Sequence, residues 1–545
     1  MRLPCLFLLL LFPAAVLAAD TTNQDGITPE GVRAHVEFLA DDLLEGREAG
    51  TRGHEIAARY VASQYLSMGL TPGTEKGWFQ RVPLATLALD EARSTLSVAG
   101  QHFAHRQDVL IQPGRAAGDV SLEAETVFVG YGIDDPKNGQ NDYAGLSVKG
   151  KFVAILSGFP KGMKSDVGAH YGRSKAKMAQ ARGAIGVITV RTLDRERIRP
   201  WKSEVEAAAH PAMVWTKADG AVFTETPDIK ASASLGDAAA SALFAGAPKP
   251  LATLLADADK KNGRPKGFAL KQRVRIDRTT TVSTISSPNV IGLLPGSDPT
   301  VANEYVLLMA HLDHNGIDPK RMGDTVFNGA MDNASGTASM LEAARALAAG
   351  PNRPRRPILF AAVTAEEKGL LGSDYLANNP VVPAGGKIVA VVNLDMPVLL
   401  YDFTDVIAFG AEHSTMGQSV ASAAGRMGVA LSDDPLPEEG LFTRSDHYSF
   451  VKKGIPSVFL MTGFQNGGEK AFKDFLATHY HKVSDQTDLP FNWAAAAKFA
   501  RINFMIAAGI ANADAAPRWY QGSFFGNQFA PGALRAPALI KRAAE

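Results

Sequence analysis

Three short apolar runs each lead straight into groups that can bind a cation or move a proton. Residues 305–310 run into His311-Leu312-Asp313, 358–363 into Thr364-Ala365-Glu366-Glu367, and 388–392 into Asn393-Leu394-Asp395. Two polar stretches add to them: 328–336, which contains Asp332, and 478–485, which contains His479, Tyr480 and His481. If the runs are strands of an open α/β sheet, the groups behind them meet in one crevice at the carboxyl ends of the strands. Asp313, Asp332, Glu366, Glu367 and Asp395 would repel one another there and drive at least one pKa strongly upward. Two divalent cations would remove most of that charge. Two-metal hydrolytic sites hold their ions ~3.5–4 Å apart, a gap one carboxylate can span. Mixed imidazole and carboxylate ligands favour zinc, although manganese or cobalt would also fit. The only cysteine is Cys5, inside the amino-terminal apolar segment, so no thiolate belongs to the site.

The elements that must position these groups are legible as a pattern. Thr28-Pro29-Glu30 starts a helix, with a capping hydroxyl, a proline and an acid in the first turn. Val32, Val36, Leu39 and Leu43 follow at helical spacing as a buried stripe. A polar, glycine-bearing loop over 45–53 leads into a second helix containing Ile56, Tyr60 and Val61. Between 118 and 277 short apolar runs alternate with turns and an Ala-rich stretch, which predicts an insert with its own small core. From Pro288 onward strands and Ala-rich helices alternate. The runs 290–294, 305–310, 358–363, 388–392 and 457–461 read as buried parallel strands. The fold class expected is therefore α/β: a mixed, largely parallel sheet with helices on both faces.

Residues 1–19 read as an export signal: Arg2, an apolar core over 6–12, and small residues near 16–19. That run is short and broken by Pro4 and Pro13, and no other segment reads as a membrane span, so the expectation is a periplasmic or secreted chain. With 56 Lys+Arg against 56 Asp+Glu, the chain lacks the basic excess of a nucleic-acid binder. Neither a G-x-S-x-G elbow nor a P-loop occurs. Residues 516–545 read as an irregular tail.

The stretches His311-Leu312-Asp313, 328–336, 365–373, Asn393-Leu394-Asp395-Met396, Ser445-Asp446-His447 and Tyr480-His481, in this order, resemble the co-catalytic di-zinc aminopeptidases, metallopeptidase family twenty-eight. Glutamate carboxypeptidase II, the transferrin receptor and glutaminyl cyclase are relatives of that family. The likeness covers about 280–510, and 38–80 resembles the family's usual opening. Val127-Phe128-Val129-Gly130-Tyr131-Gly132, Asp142-Tyr143 and Gly150-Lys151 resemble a protease-associated domain. The division implied is a signal peptide over 1–19, a peptidase domain over 20–117 and 278–515, a β-rich protease-associated insert over 118–277, and the tail.

Carried over residue by residue, the resemblance implies two Zn2+ per chain. Asp332 would bridge them, His311 and Asp395 would complete one site, and Glu367 and His481 the other. Asp313 would orient the His311 imidazole, Glu366 would be the general base, and Tyr480 would help to hold the oxyanion. Some members place a further tyrosine three residues before the Ser-Asp-His triplet, where this chain has Phe442. The activity implied is hydrolysis of the peptide bond next to a free N-terminus. A carboxypeptidase or dipeptidase would use the same metals, with Arg444 the one nearby arginine visible for a substrate carboxylate. A non-catalytic, transferrin-receptor-like protein would need a decayed site, and all six groups are present. His447 reads as structural, His479 and His314 as ordinary, and Asp485 as either an orienter of His481 or a helix cap.

Overall fold

The computed structural model describes residues 25–538, so the expected signal peptide lies outside the described residues. The central strands are β1 (Phe268–Leu294), β2 (Glu304–His311), β3 (Ile358–Val363), β4 (Lys387–Leu394), β5 (Asp405–Phe409) and β6 (Ser457–Thr462). Their spatial order is β1-β3-β2-β4-β6-β5. The four middle strands are parallel, while β1 pairs with β3, and β5 with β6, antiparallel. The run 290–294, expected to be parallel, is thus antiparallel, with Val290 opposite Ala362. It is the far end of a 27-residue strand that enters the sheet directly from the insert, without the crossover helix a parallel strand requires.

The middle strands are buried on both faces, as their unbroken apolar runs demand. Val306, Leu308 and Ala310 of β2 point to one face. There they meet α1 (Pro29–Leu39), α2 (Arg52–Ser67), α3 (Ser335–Ala349) and α4 (Trp493–Asn512). Tyr305, Leu307 and Met309 point to the other face, against Leu376 of the helix Leu371–Asn378 and Phe450 of the helix His447–Val451. Helices therefore cover both faces. Thr28 caps α1 by accepting from the Gly31 N–H at 3.0 Å, and Val32, Val36 and Leu39 are buried. Leu43, expected on the same stripe, is exposed, because α1 stops at Leu39 and the chain turns tightly over Asp42–Arg47.

A second apolar core lies in the insert, where Phe128, Phe152, Ile188 and Leu235 pack with Val274 and Ile276 of β1. It also takes in Leu96, Val98, Phe103, Val109 and Ile111, which precede residue 118. Their strands are short, and Thr95–Val98 pairs with β1, so this core is completed only in three dimensions. Strand β1 shows both environments. It alternates buried and open positions around Leu270–Thr280, then is buried without a break from Ser287 to Gly292 in the main sheet.

Two further expectations change. The described part of the tail is not simply irregular: Phe524–Phe529 is a short helix, and Trp519 and Phe525 join the main core. Helix α4 is long and apolar enough to cross a membrane, contrary to the sequence reading. It is a core helix, with Phe499, Ile502, Ile506 and Ile510 buried.

Candidate metal centre

The carboxyl ends of β2, β3 and β4 carry His311, the loop containing Glu366 and Glu367, and Asp395. Two loops bring Asp332 and His481 over them, and all five expected ligands converge. Gly329, with φ +58°, makes the turn into the Asp332 loop. A side chain there would sit 2.2 Å from the Asp332 carbonyl oxygen and 2.6 Å from the His314 ring. The Asp332–Asn333 peptide is cis.

The two oxygens of Asp332 face different imidazoles. Oδ1 lies 3.3 Å from His311 Nε2 and Oδ2 lies 3.2 Å from His481 Nε2. Each imidazole meets one further carboxylate: His311 Nε2 is 3.1 Å from Asp395 Oδ1, and His481 Nε2 is 3.1 Å from Glu367 Oε2. His311 Nδ1 lies 3.1 Å from the Asp313 carbonyl oxygen. That oxygen can only accept, so Nδ1 carries a proton, and Nε2, facing Asp332 and Asp395, is the ring atom that would ligate a metal. Although burial opposes the charged ring, the carboxylates raise the pKa of both His311 and His481, and a metal ion at each Nε2 would take the place of the proton they favour there. Two imidazoles and three carboxylates, arranged around Asp332, fit two divalent ions of zinc's ligand preference.

A ring of buried partners holds these groups in place. Ser445 donates to Asp395 Oδ2, and Asn393 donates to Ser445 at 2.6 Å. Asp485 accepts from the backbone N–H groups of Met331 at 2.8 Å and Asp332 at 3.0 Å. It therefore fixes the Asp332 loop rather than orienting His481 or capping a helix. Asp313 also differs from its expected part. Its main-chain carbonyl, not its carboxylate, meets the His311 ring, and the carboxylate receives the N–H groups of Glu366 and Glu367 at 3.0 and 3.3 Å. With Ala365 at φ +54°, this turns the adjacent glutamates apart.

The electrostatics separate the two glutamates. Burial would raise both carboxyls, yet the charges and hydrogen bonds of His481 and His314 hold Glu367 well below the usual range. Glu366 has no ion-pair partner among the described residues. Burial, with Asp395, Asp446 and Glu367 nearby, pushes it well above that range despite His311. Burial opposes the charged form of Asp332 too, but its bonds to His311 and His481 hold it at about 2. Burial pushes Asp446 up to about 7. Tyr480 stacks on His481 with ring centroids 3.8 Å apart, and burial raises its phenol.

The other histidines sort by contact. His479 Nδ1 lies 3.0 Å from the Ser484 carbonyl and hydroxyl and so holds its own loop. His447 is fully buried among Phe442 and Phe459, and burial lowers it to about 3. His314, read as ordinary, belongs to the site: its Nδ1 is 2.7 Å from Glu367 Oε1, and its ring meets His481 edge to face. Its signal was its place three residues after His311 at the same strand end. Arg47 was also missed. Fully buried, it donates to the carbonyls of Leu312 at 2.8 Å, Asn328 at 2.6 Å, Gly329 at 3.0 Å, and Leu39. One guanidinium thus ties α1 to the His311 and Asp332 loops.

Residues 289–507 match the model of Peptidase family M28. The chain is 31% identical over 196 residues to the leupeptin-inactivating enzyme 1 of Streptomyces exfoliatus, covering 34% of this chain and 39% of that protein. It is 27% identical over 252 residues to leucine aminopeptidase 2 of Trichophyton rubrum, covering 43% and 48%. The chain thus spans less than half the length of these curated relatives. Among solved structures, an aminopeptidase from Aneurinibacillus sp. strain AM-1 shares the fold, with TM-score 0.51 at 19% identity over 95% of this chain and 98% of that one.

Proposed function

With the chain a member of peptidase family M28 through residues 289–507, we propose that it is a two-zinc aminopeptidase releasing the N-terminal residue of peptides. One observation carries the reading: each oxygen of Asp332 faces its own imidazole, and each imidazole has its own second carboxylate. His311, Asp395 and one Asp332 oxygen would hold one ion, and His481, Glu367 and the other oxygen the second. Bound zinc supplies a water of lowered pKa and a polarised scissile carbonyl.

The chain's own groups do the rest. Glu366, with no ion-pair partner among the described residues, takes the proton of the attacking water and delivers it to the leaving amine. Tyr480, protonated at neutral pH because burial raises its phenol, donates to the developing oxyanion. Phe442 offers no second donor, since its ring packs against His447 and Phe525. The second core, from about residue 95 to 277, is the protease-associated insert of this reading, and the pattern over 1–19 supports export.

The purified protein should bind about two zinc equivalents and cleave aminoacyl-p-nitroanilides, and chelation should abolish turnover. Turnover indifferent to chelation would remove the metal reading. N-terminally blocked peptides cleaved as fast as free ones would remove the aminopeptidase reading.

A further inference from the structure

A second group of imidazole and carboxylate donors lies where the insert meets the body of the chain, apart from the residues around Asp332. Asp166 stands in the first turn of the insert helix Ser165–Ala181. Glu412 and His413 belong to the short turn Ala411–His413, between β5 and the helix Met416–Arg426. His413 Nε2 lies 2.6 Å from Asp166 Oδ2 and 3.6 Å from Glu412 Oε1. One donor atom from each of the three residues falls within 4.8 Å of the other two. An imidazole nitrogen facing two carboxylate oxygens is also the pattern of His311 and of His481 around Asp332.

The donors are fixed before any ion arrives. Asp166 Oδ1 accepts the Val167 N–H at 2.7 Å, which leaves Oδ2 to His413. Across the interface, Ser165 Oγ donates to the Pro437 carbonyl at 2.8 Å and lies 3.2 Å from Asp434 Oδ2. The His413 carbonyl accepts the Tyr520 N–H at 2.9 Å, and its ring packs on Phe442 and Phe525. The His413 and Asp166 side chains are 9% and 12% exposed, while Glu412 is 59% exposed. The site thus has an apolar backing and one open side, by which an ion can enter. Its surroundings are acidic: burial, with Glu438 and Asp166 nearby, pushes the Asp434 carboxyl up. Lys164 opposes that charge near Asp166. The separations of 2.6 and 3.6 Å bracket the ~3.3 Å that two zinc bonds of about 2.0–2.1 Å subtend at a tetrahedral angle. One imidazole and two carboxylates, with water as a fourth ligand, suit zinc better than calcium or magnesium, which take oxygen ligands alone.

We propose that Asp166, Glu412 and His413 form a separate site for one divalent ion of zinc's ligand preference, which clamps the insert to the body of the chain. The ion takes the place of the proton between His413 Nε2 and Asp166 Oδ2, so its uptake releases that proton. One ligand comes from the insert and two from the turn after β5, so an ion bound to all three resists their separation. With three ligands, one of them exposed, the site is weaker than the Asp332 centre and fills at higher free zinc. This inference does not depend on the peptidase reading.

The test dialyses the zinc-loaded full chain against rising free Zn2+ and counts the metal bound. Wild type should take up one equivalent beyond those of the Asp332 centre. His413→Gln should lose that equivalent and keep the others. Glu412→Gln should weaken it by at least the 10–100-fold typical of losing a mere outer partner of a metal ligand. Glu412 is exposed, so its variant decides the matter should His413→Gln fail to fold. By mass action, the added ion should raise the urea midpoint of wild type and leave that of His413→Gln unmoved. No further equivalent in wild type, or one that survives unchanged in both variants, would overturn the site. Urea midpoints that rise equally in wild type and Glu412→Gln would overturn it too. Absence of zinc from the Asp332 centre, with this equivalent present and lost in His413→Gln, would count against the peptidase reading and leave the clamp standing.

Discussion

Glu366 and Glu367 are neighbours in the chain with opposite fates. Glu367 has both oxygens engaged, by His314 and His481, while Glu366, near His311 and Asp395, has no ion-pair partner among the described residues. Glu366→Gln should therefore retain its zinc and lose at least about 10²–10⁴-fold in kcat, read by metal analysis and steady-state rates on one preparation. A variant with full activity would show that the proton moves elsewhere. Asp485→Asn leaves the ligands themselves untouched but weakens the hold on the Asp332 backbone. It should weaken zinc binding about 10–100-fold in a competitive chelator titration. The convergence of the five proposed ligands was legible because strand-end polar groups recur in one order. Asp313 was misread because a position two residues past a histidine does not reveal whether its carbonyl or its carboxylate meets the ring. A lone histidine such as His314 reads as core until Glu367 is seen beside it.

At the level of elements, the loops that carry the proposed ligands are held by main-chain carbonyls gathered on Arg47. Arg47→Met would keep the volume and leave buried carbonyls without donors. It should cost about 3–5 kcal/mol of stability, the scale of breaking a buried charged network, measured as a lowered urea midpoint. A surface role for Arg47 would leave that midpoint unmoved. The sequence concealed this because 45–53 reads as a polar loop, and only the positive φ angles of Glu45, Gly46 and Arg47 turn the guanidinium inward. The strand 290–294 was misassigned for a related reason. Continuous burial shows that a strand is central, but not which way it runs.

Across the whole molecule, the main core and the insert are joined by β1 and by the contact of His170 with Tyr448. Burial lowers His54 and His170 to about 4, below the ~6.5 of an unfolded histidine. As pH falls, the unfolded chain takes up these protons first, so stability is lost between about pH 6.5 and 4. The loss is about 2 kcal/mol per histidine between pH 6.5 and 5. A His170→Gln variant should accordingly show a shallower fall of its urea midpoint between pH 7.5 and 5 than the wild type. Parallel curves would mean that His170 is charged in the folded state. Sequence texture announced that a second core existed, but not its extent, because Leu96 to Ile111 join it through pairing with distant strands.

The arrangement around Asp332 is tested most directly by a crystal of the zinc-loaded protein, with anomalous scattering recorded on both sides of the zinc edge. Two peaks about 3.5–4 Å apart, one beside each Asp332 oxygen, are the expected result. A single peak, or peaks away from His311 and His481, would contradict it.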